Sequence, residues 1–303
     1  MRIALVVNDA AGSFAGTGTT ADTLRGLLES AGIALAPETD AGLDLPERLR
    51  AAADLPGIEA VVVAGGDGTI ACAAQVLAGC GLPLGVLPLG TMNLLAKDLG
   101  LPLDLDAAIA ALRNGERRAI DVGEVNGRVF LINSVLGLPA RMARHREARR
   151  GRMGALDYLR MGLGILRHMG RYPRLTVTGL VNGRAERLRV RTLAIVNNDY
   201  DEAPGRVLSR SRVDGGELTL YVLRSLSAVR VLRLGLGFAL GSWRHLPEVE
   251  RRVLTELTIA APRRSLRVMN DGEVHLIASP LRYRIRPGAL VVIGPARTTA
   301  ASP

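Results

Sequence analysis

Hydrophobic residues along this chain follow two rhythms. Over the first 120 positions, unbroken apolar runs rich in β-branched residues alternate with longer stretches in which apolar residues recur every three or four positions. The unbroken runs fit strands buried on both faces, and the wider spacing fits amphipathic helices. The pattern predicts strands over Ile3–Val7, Ile33–Ala36, Ala60–Ala64 and Leu84–Leu87. It predicts helices over Thr20–Ala31, Pro46–Ala53, Ile70–Leu77, Leu94–Leu99 and Leu105–Asn114. Such alternation folds as a mostly parallel sheet covered on both faces, with ligands at the carboxyl ends of its strands.

From about Asp121 the rhythm changes to short strands separated by turn residues. They are expected over Asp121–Val125, Arg128–Asn133, Arg174–Thr178, Leu188–Val196, Leu218–Leu223, Val253–Ala260, Leu266–Met269, Val274–Ile277, Leu281–Ile285 and Leu290–Ile293. Asn126-Gly127 between two of them is a hairpin signal. Helical insertions are expected at about Gly154–Met169 and Ser225–Trp243. The chain therefore reads as α/β. A Rossmann-like parallel-sheet domain over 1–120 is followed by a mainly antiparallel β-sandwich over 121–303.

One stretch organises the first domain. Val61-Val62-Val63-Ala64 is a buried strand that Gly65-Gly66-Asp67-Gly68-Thr69 cannot continue. The Thr69 hydroxyl is placed to cap the helix from Ile70. Strand, glycine turn and helix start together form an anion site, with Asp67 set to hold Mg²⁺ or a ribose hydroxyl. A tight turn without a ligand is the alternative for a lone Gly-Gly; the full five-residue pattern favours a nucleotide.

Charge sharpens the division. Residues 1–120 carry 8 Lys+Arg against 14 Asp+Glu, and the remainder carries 31 against 15, for a net of +10. Lys97 is the sole lysine, so the basicity is arginine, which suits bidentate phosphate recognition or simply reflects an arginine-rich genome. Ten arginines fall in 139–174, either a solvated face or a surface for peripheral association with an anionic membrane. Phe238 and Trp243 are further candidates for lipid contact, with core packing the alternative. Aromatic residues make up 3%, too few for the stacking platforms of a nucleic-acid binder. No apolar stretch reaches the length of a membrane span, and the short N-terminal run does not fit a signal peptide, so a cytoplasmic protein is expected. Cys72 and Cys80 suit reduced core thiols, and the four histidines lack metal-ligand spacing.

With these residues in view, the chain resembles the diacylglycerol kinase catalytic family, soluble bacterial lipid kinases related to sphingosine and ceramide kinases. Gly65–Thr69 matches the glycine motif of that family, and Leu87-Pro88-Leu89-Gly90-Thr91-Met92-Asn93 its second signature. Asn8 and Gly12 match the ends of its first loop, Thr39 a nucleotide-contacting threonine, and Gly154–Tyr158 a Gly-x-x-x-Tyr element. Asp271-Gly272-Glu273 matches the Asp-Gly-Glu that supplies its acid/base carboxylate. The chain departs at Ala71-Cys72 and Leu94, and its structural Mg²⁺ loop reads Asp214-Gly215-Gly216-Glu217-Leu218, keeping only Asp214.

The resemblance implies an ATP-dependent lipid kinase. ATP and Mg²⁺ would be held by Asn8, Gly12, Thr39, Gly65, Gly66, Asp67, Gly68, Thr69, Gly90, Thr91 and Asn93. Asp67 and Asp214 would be metal ligands. Residues 121–303 would form the lipid-acceptor domain, with the site between the domains and Asp271 or Glu273 taking the proton of a lipid hydroxyl. The acceptor's identity and the oligomeric state are not legible. The alternatives are an NAD kinase-like enzyme and a nucleotide- or lipid-binding protein without kinase activity.

Overall fold

A computed structural model describes residues 1–8, 20–137, 175–181, 184–204, 208–224 and 227–295. The arginine-rich segment 139–174, its Gly154–Tyr158 element and its expected helix, together with Gly12, lie outside the described residues. The chain divides into two compact units. The first comprises 1–122, 212–215 and 286–303, and the second 123–211 and 216–285.

In the first unit, four parallel strands appear where the unbroken apolar runs predict them: β1 (Arg2–Val7), β2 (Ala34–Leu35), β3 (Ala60–Gly65) and β4 (Leu84–Pro88). Their order is β2-β1-β3-β4. Chain direction along the sheet therefore reverses between β1 and β3, the point where α/β sheets open a crevice at their carboxyl ends. Beyond β4 lies the last part of β16 (Leu281–Gly294), parallel to it through Val292 and Leu84. The connecting helices are α1 (Ala21–Ser30), α2 (Leu45–Ala53), α3 (Asp67–Leu77), α4 (Leu94–Asp98) and α5 (Leu105–Asn114). Thr20, Asp44 and Asp104 cap α1, α2 and α5 by accepting a first-turn N–H. Leu24 and Leu28 of α1 and Ile109 and Leu112 of α5 pack on Ile3, Leu5, Val62 and Leu87 of the strands. Cys72 is half-buried and Cys80 exposed, so the expectation of two core thiols fails at Cys80, which lies in the turn after α3.

The second unit is a sandwich. One antiparallel sheet runs β12 (Val249–Leu254), β11 (Leu218–Leu223), β10 (Thr192–Asn197), β7 (Asn133–Gly137), β14 (Ser265–Asn270), β15 (Glu273–Ala278). Opposed to it are the first part of β16, β13 (Glu256–Ala260), β8 (Leu175–Val181) and β9 (Arg184–Val190), with β6 (Arg128–Phe130) paired to the end of β5 (Glu116–Val125). Leu136, Leu193, Leu220, Val222 and Val268 of the first sheet meet Val177, Leu188, Leu257, Ile259 and Tyr283 of the second in one core. The expected strand Leu188–Val196 is two strands broken at Arg191, and Val253–Ala260 is two broken at Thr255. The two separately expected C-terminal strands are one, β16, which continues through Pro287-Gly288.

The second helical insertion is α6 (Ala228–Leu240), capped by Ser227 and followed by a 3₁₀ turn at Trp243–His245. Trp243 is 3% exposed and stacks on the half-buried Phe238 at 4.8 Å between centroids, so the Trp243 ring serves core packing. Among the described residues no helix is long and apolar enough to cross a membrane.

Candidate active site

The first constellation is built where the order of the parallel strands reverses. Asn8 follows β1; its backbone N–H donates to Ala64 O at 3.1 Å and its Nδ2 to Thr69 Oγ1 at 2.8 Å. Thr69 does not cap α3, contrary to expectation. The helix already starts at Asp67 behind Gly66, which leaves Thr69 in its first turn and frees the hydroxyl to tie the β1 and β3 loops together.

The two glycine turns are then locked to each other. Asp67 accepts the backbone N–H of Leu94 at 2.7 Å on Oδ1 and that of Asn93 at 3.0 Å on Oδ2. Those amides are the start of α4, so the carboxylate caps a helix that its own sequence neighbours do not belong to. Asn93, with φ of +48°, accepts Gly90 N–H on Oδ1 at 2.9 Å and donates through Nδ2 to Gly90 O at 2.8 Å. Leu89 N–H donates to Gly65 O at 3.1 Å. A Cβ on Gly90 would lie 2.7 Å from both Gly66 Cα and Asn93 Oδ1, so backbone must meet backbone here. Asp67 and Asn93 thus act first on the protein itself. Gly68 and Thr91 are left exposed at the tips of the paired turns.

Two further groups mark this edge. Thr39 Oγ1, after β2, is buried with no hydrogen-bond partner among the described residues. Arg48, which nothing in the sequence singles out, reaches from α2 to donate to Val7 O at 3.0 Å, and its Nε is buried without a partner. An arginine on an amphipathic helix carries no motif signal, so only its reach reveals it.

The second constellation lies in the other unit. Asp271 and Gly272 join β14 to β15 with φ of +48° and +94°, both positive, as a type I′ hairpin turn requires. The Asp271 carboxylate accepts N–H bonds from Leu131 at 2.6 Å, Ile132 at 2.8 Å and Asn133 at 3.0 Å. Its own N–H donates to Asn133 O. Burial pushes this carboxyl above the ordinary carboxylate range, while the three amides and the charge of Arg210 pull it back. Arg210, 2% exposed, donates to Leu131 O at 2.7 Å and Asn197 O at 2.6 Å, so this buried guanidinium and the half-buried Asp271 side chain grip the same stretch of backbone. Two residues on, Glu273 is exposed, with no side-chain hydrogen bond or ion pair among the described residues.

Asp214 is exposed and lies 4.0 Å from Arg212 Nε. Among the described residues no three His, Cys, Asp or Glu side chains gather as a metal cage.

Residues 2–125 match the family model of the diacylglycerol kinase catalytic domain, and residues 133–294 that of the YegS C-terminal NAD kinase beta sandwich-like domain. The chain is 30% identical over 256 residues to a diacylglycerol kinase of Mycobacterium tuberculosis, covering 82% of this chain and 80% of that protein. It is 32% identical over 250 residues to a probable lipid kinase YegS-like of Pseudomonas aeruginosa, covering 79% and 78%. Its fold is similar to the crystal structure of a diacylglycerol kinase from Bacillus anthracis, with a TM-score of 0.68, 16% identity and 97% of each chain covered.

Proposed function

The chain belongs to the diacylglycerol kinase catalytic family and is a kinase, and from that premise we propose that it transfers the γ-phosphoryl group of ATP to a hydroxyl of a lipid such as diacylglycerol or a sphingoid lipid. The observation that carries this reading is the pair of interlocked glycine turns at the carboxyl ends of adjacent parallel strands, with Gly68 and Thr91 exposed. Their free amides and the N-terminus of α3 suit triphosphate oxygens, and the unpaired Thr39 hydroxyl and Arg48 Nε suit further nucleotide contacts. Each Asp67 oxygen spends one lone pair on an amide and keeps another. One such carboxylate, with phosphates and water, is the donor set Mg²⁺ prefers to an all-protein cage. Mg²⁺ arriving with ATP would neutralise charge building on the transferred group.

The second unit supplies the acceptor side in this reading. Three amides hold Asp271 against Leu131–Asn133, so in this reading Asp271 positions the turn, and Glu273, exposed two residues on, takes the proton of the lipid hydroxyl as its oxygen attacks. Peripheral association with a membrane and a cytoplasmic location belong to the same reading. Both the family match over 2–125 and the relatives' names favour a lipid over NAD as acceptor.

Labelled ATP offered with a lipid extract tests the reading directly. Glu273→Gln should lower the rate roughly 10²–10⁴-fold, the usual worth of a general base, and leave ATP affinity unchanged. A wild-type rate in that variant would remove Glu273 as the base, and the absence of any labelled lipid with active wild-type protein would remove the lipid.

A further inference from the structure

Helix α6 is apolar on two opposite faces. Its inner face carries Gly237, which is buried, and Phe238, which stacks on Trp243. Its outer face carries Val229, Leu232, Leu236 and Leu240, which are 67, 75, 59 and 62% exposed. Their spacing of three, four and four lines them up in one stripe along the helix. Other large exposed apolar residues among the described ones are scattered, and scattered ones are ordinary. Four in a row on one helix form a patch that needs a cover.

The charges around the stripe say what the cover is. Helix α6 holds Arg230 and Arg233 and no acidic residue, and both arginines lean on the single carboxylate of Glu248, at 3.8 and 2.9 Å. Of the other arginines in 224–252, Arg244 and Arg251 pair with Asp199, and Arg224 and Arg252 with Glu186 and Glu250, so the cations beside the stripe are Arg230 and Arg233, two against the one carboxylate of Glu248. A leucine stripe flanked by arginines fits the boundary between headgroups and acyl chains of an anionic bilayer. A second copy of this chain would bring two net charges of +10 together.

Resting on the lipid-kinase reading, we propose that α6 is the surface by which the protein docks on an anionic lipid bilayer. Val229, Leu232, Leu236 and Leu240 enter below the headgroups, and Arg230 and Arg233 extend along the stripe to lipid phosphates. The helix is held out for this by its other face. Phe238 stacks on Trp243, Trp243 lies 5.2 Å from Tyr221, and Tyr221 stacks on Tyr200 at 6.2 Å. Tyr200 Oη accepts Asn133 Nδ2 at 2.6 Å, and the Asn133 amide is one of the three that hold Asp271. One packed network within the second unit therefore joins the docking helix to the hairpin that bears Glu273.

The test uses full-length protein and sedimentation with vesicles of phosphatidylcholine mixed with phosphatidylglycerol, or of phosphatidylcholine alone. Wild type should favour the anionic vesicles and lose binding as salt rises. Combining Leu232→Asp with Leu236→Asp should lower partitioning roughly 100-fold, since two exposed leucines supply much of the inserted area. Thermal unfolding and phosphorylation of dihexanoylglycerol in solution should stay at wild-type levels, and Leu232→Phe with Leu236→Phe should keep binding. Equal vesicle binding by the aspartate variant overturns the docking surface. So does a wild type that ignores vesicles and is a dimer that the aspartate variant dissolves. If wild type phosphorylates neither soluble nor bilayer lipid, the kinase reading fails, and the partitioning result still decides the docking surface.

Discussion

Asp67 and Asp271 do the same physical work in different units. Each carboxylate stands at a glycine turn and takes backbone N–H groups from a loop far off in sequence, Asn93 and Leu94 in one case and Leu131 to Asn133 in the other. Their neighbours differ. In the glycine turns around Asp67, Thr69 and Asn93 are bound to other protein groups and Thr91 is exposed. Beside Asp271 stands Glu273, exposed and without a side-chain partner among the described residues. An acid in a glycine turn is first a clamp, and chemistry falls to whatever polar group the clamp leaves unspent.

If that is right, removing clamps and removing leftovers should have different signatures. The largest stability effect is expected for Asp271→Ala, which leaves three amides without their acceptor. It should lose about 3–5 kcal/mol in urea unfolding, against less than about 0.5 kcal/mol for Glu273→Ala at an exposed position. Equal losses would break the comparison. Asp67→Ala removes two charge-assisted bonds and should cost about 2–3 kcal/mol, with weaker ATP binding measured by calorimetry. Weakened binding at wild-type stability would mean that Asp67 touches the ligand without clamping the turns. The smallest effect is expected at Thr39, a leftover of the nucleotide side. Thr39→Val removes an orphaned hydroxyl, so stability should rise by up to about 1 kcal/mol while ATP affinity falls roughly three- to tenfold. A fall in both would show a hidden structural partner for Thr39.

The parallel half was legible because its strands are buried on both faces and so read as unbroken valine, leucine and isoleucine runs. The sandwich was legible in kind and less so in its joints. Strand breaks at Arg191 and Thr255 interrupt pairing without a glycine or proline to announce them. Conversely, Pro287-Gly288 reads as a terminator but sits inside β16, because Gly288 takes a φ of +59° and its N–H finds Asp121 Oδ1 at 2.9 Å. Asp67 and Asp271 could be singled out from glycine-rich patterns, yet their partners could not. Asn93, Leu94 and Leu131–Asn133 contribute main-chain amides, which every residue possesses. Arg48 and Arg210 matter through reach and burial, and neither has a local signature.

Strand β16 has a consequence for synthesis. Its later part borders β4 in the parallel sheet, and its earlier part borders β13 in the sandwich. While the ribosome is still extending the chain, the first 122 residues can form their helices and β2-β1-β3-β4, but the far side of β4 has no neighbour until residues near Val292 emerge. Until Val292 emerges, the edge of β4 at Leu84 lacks the partner it has in the folded sheet, an open edge on the nascent chain that invites wrong pairing.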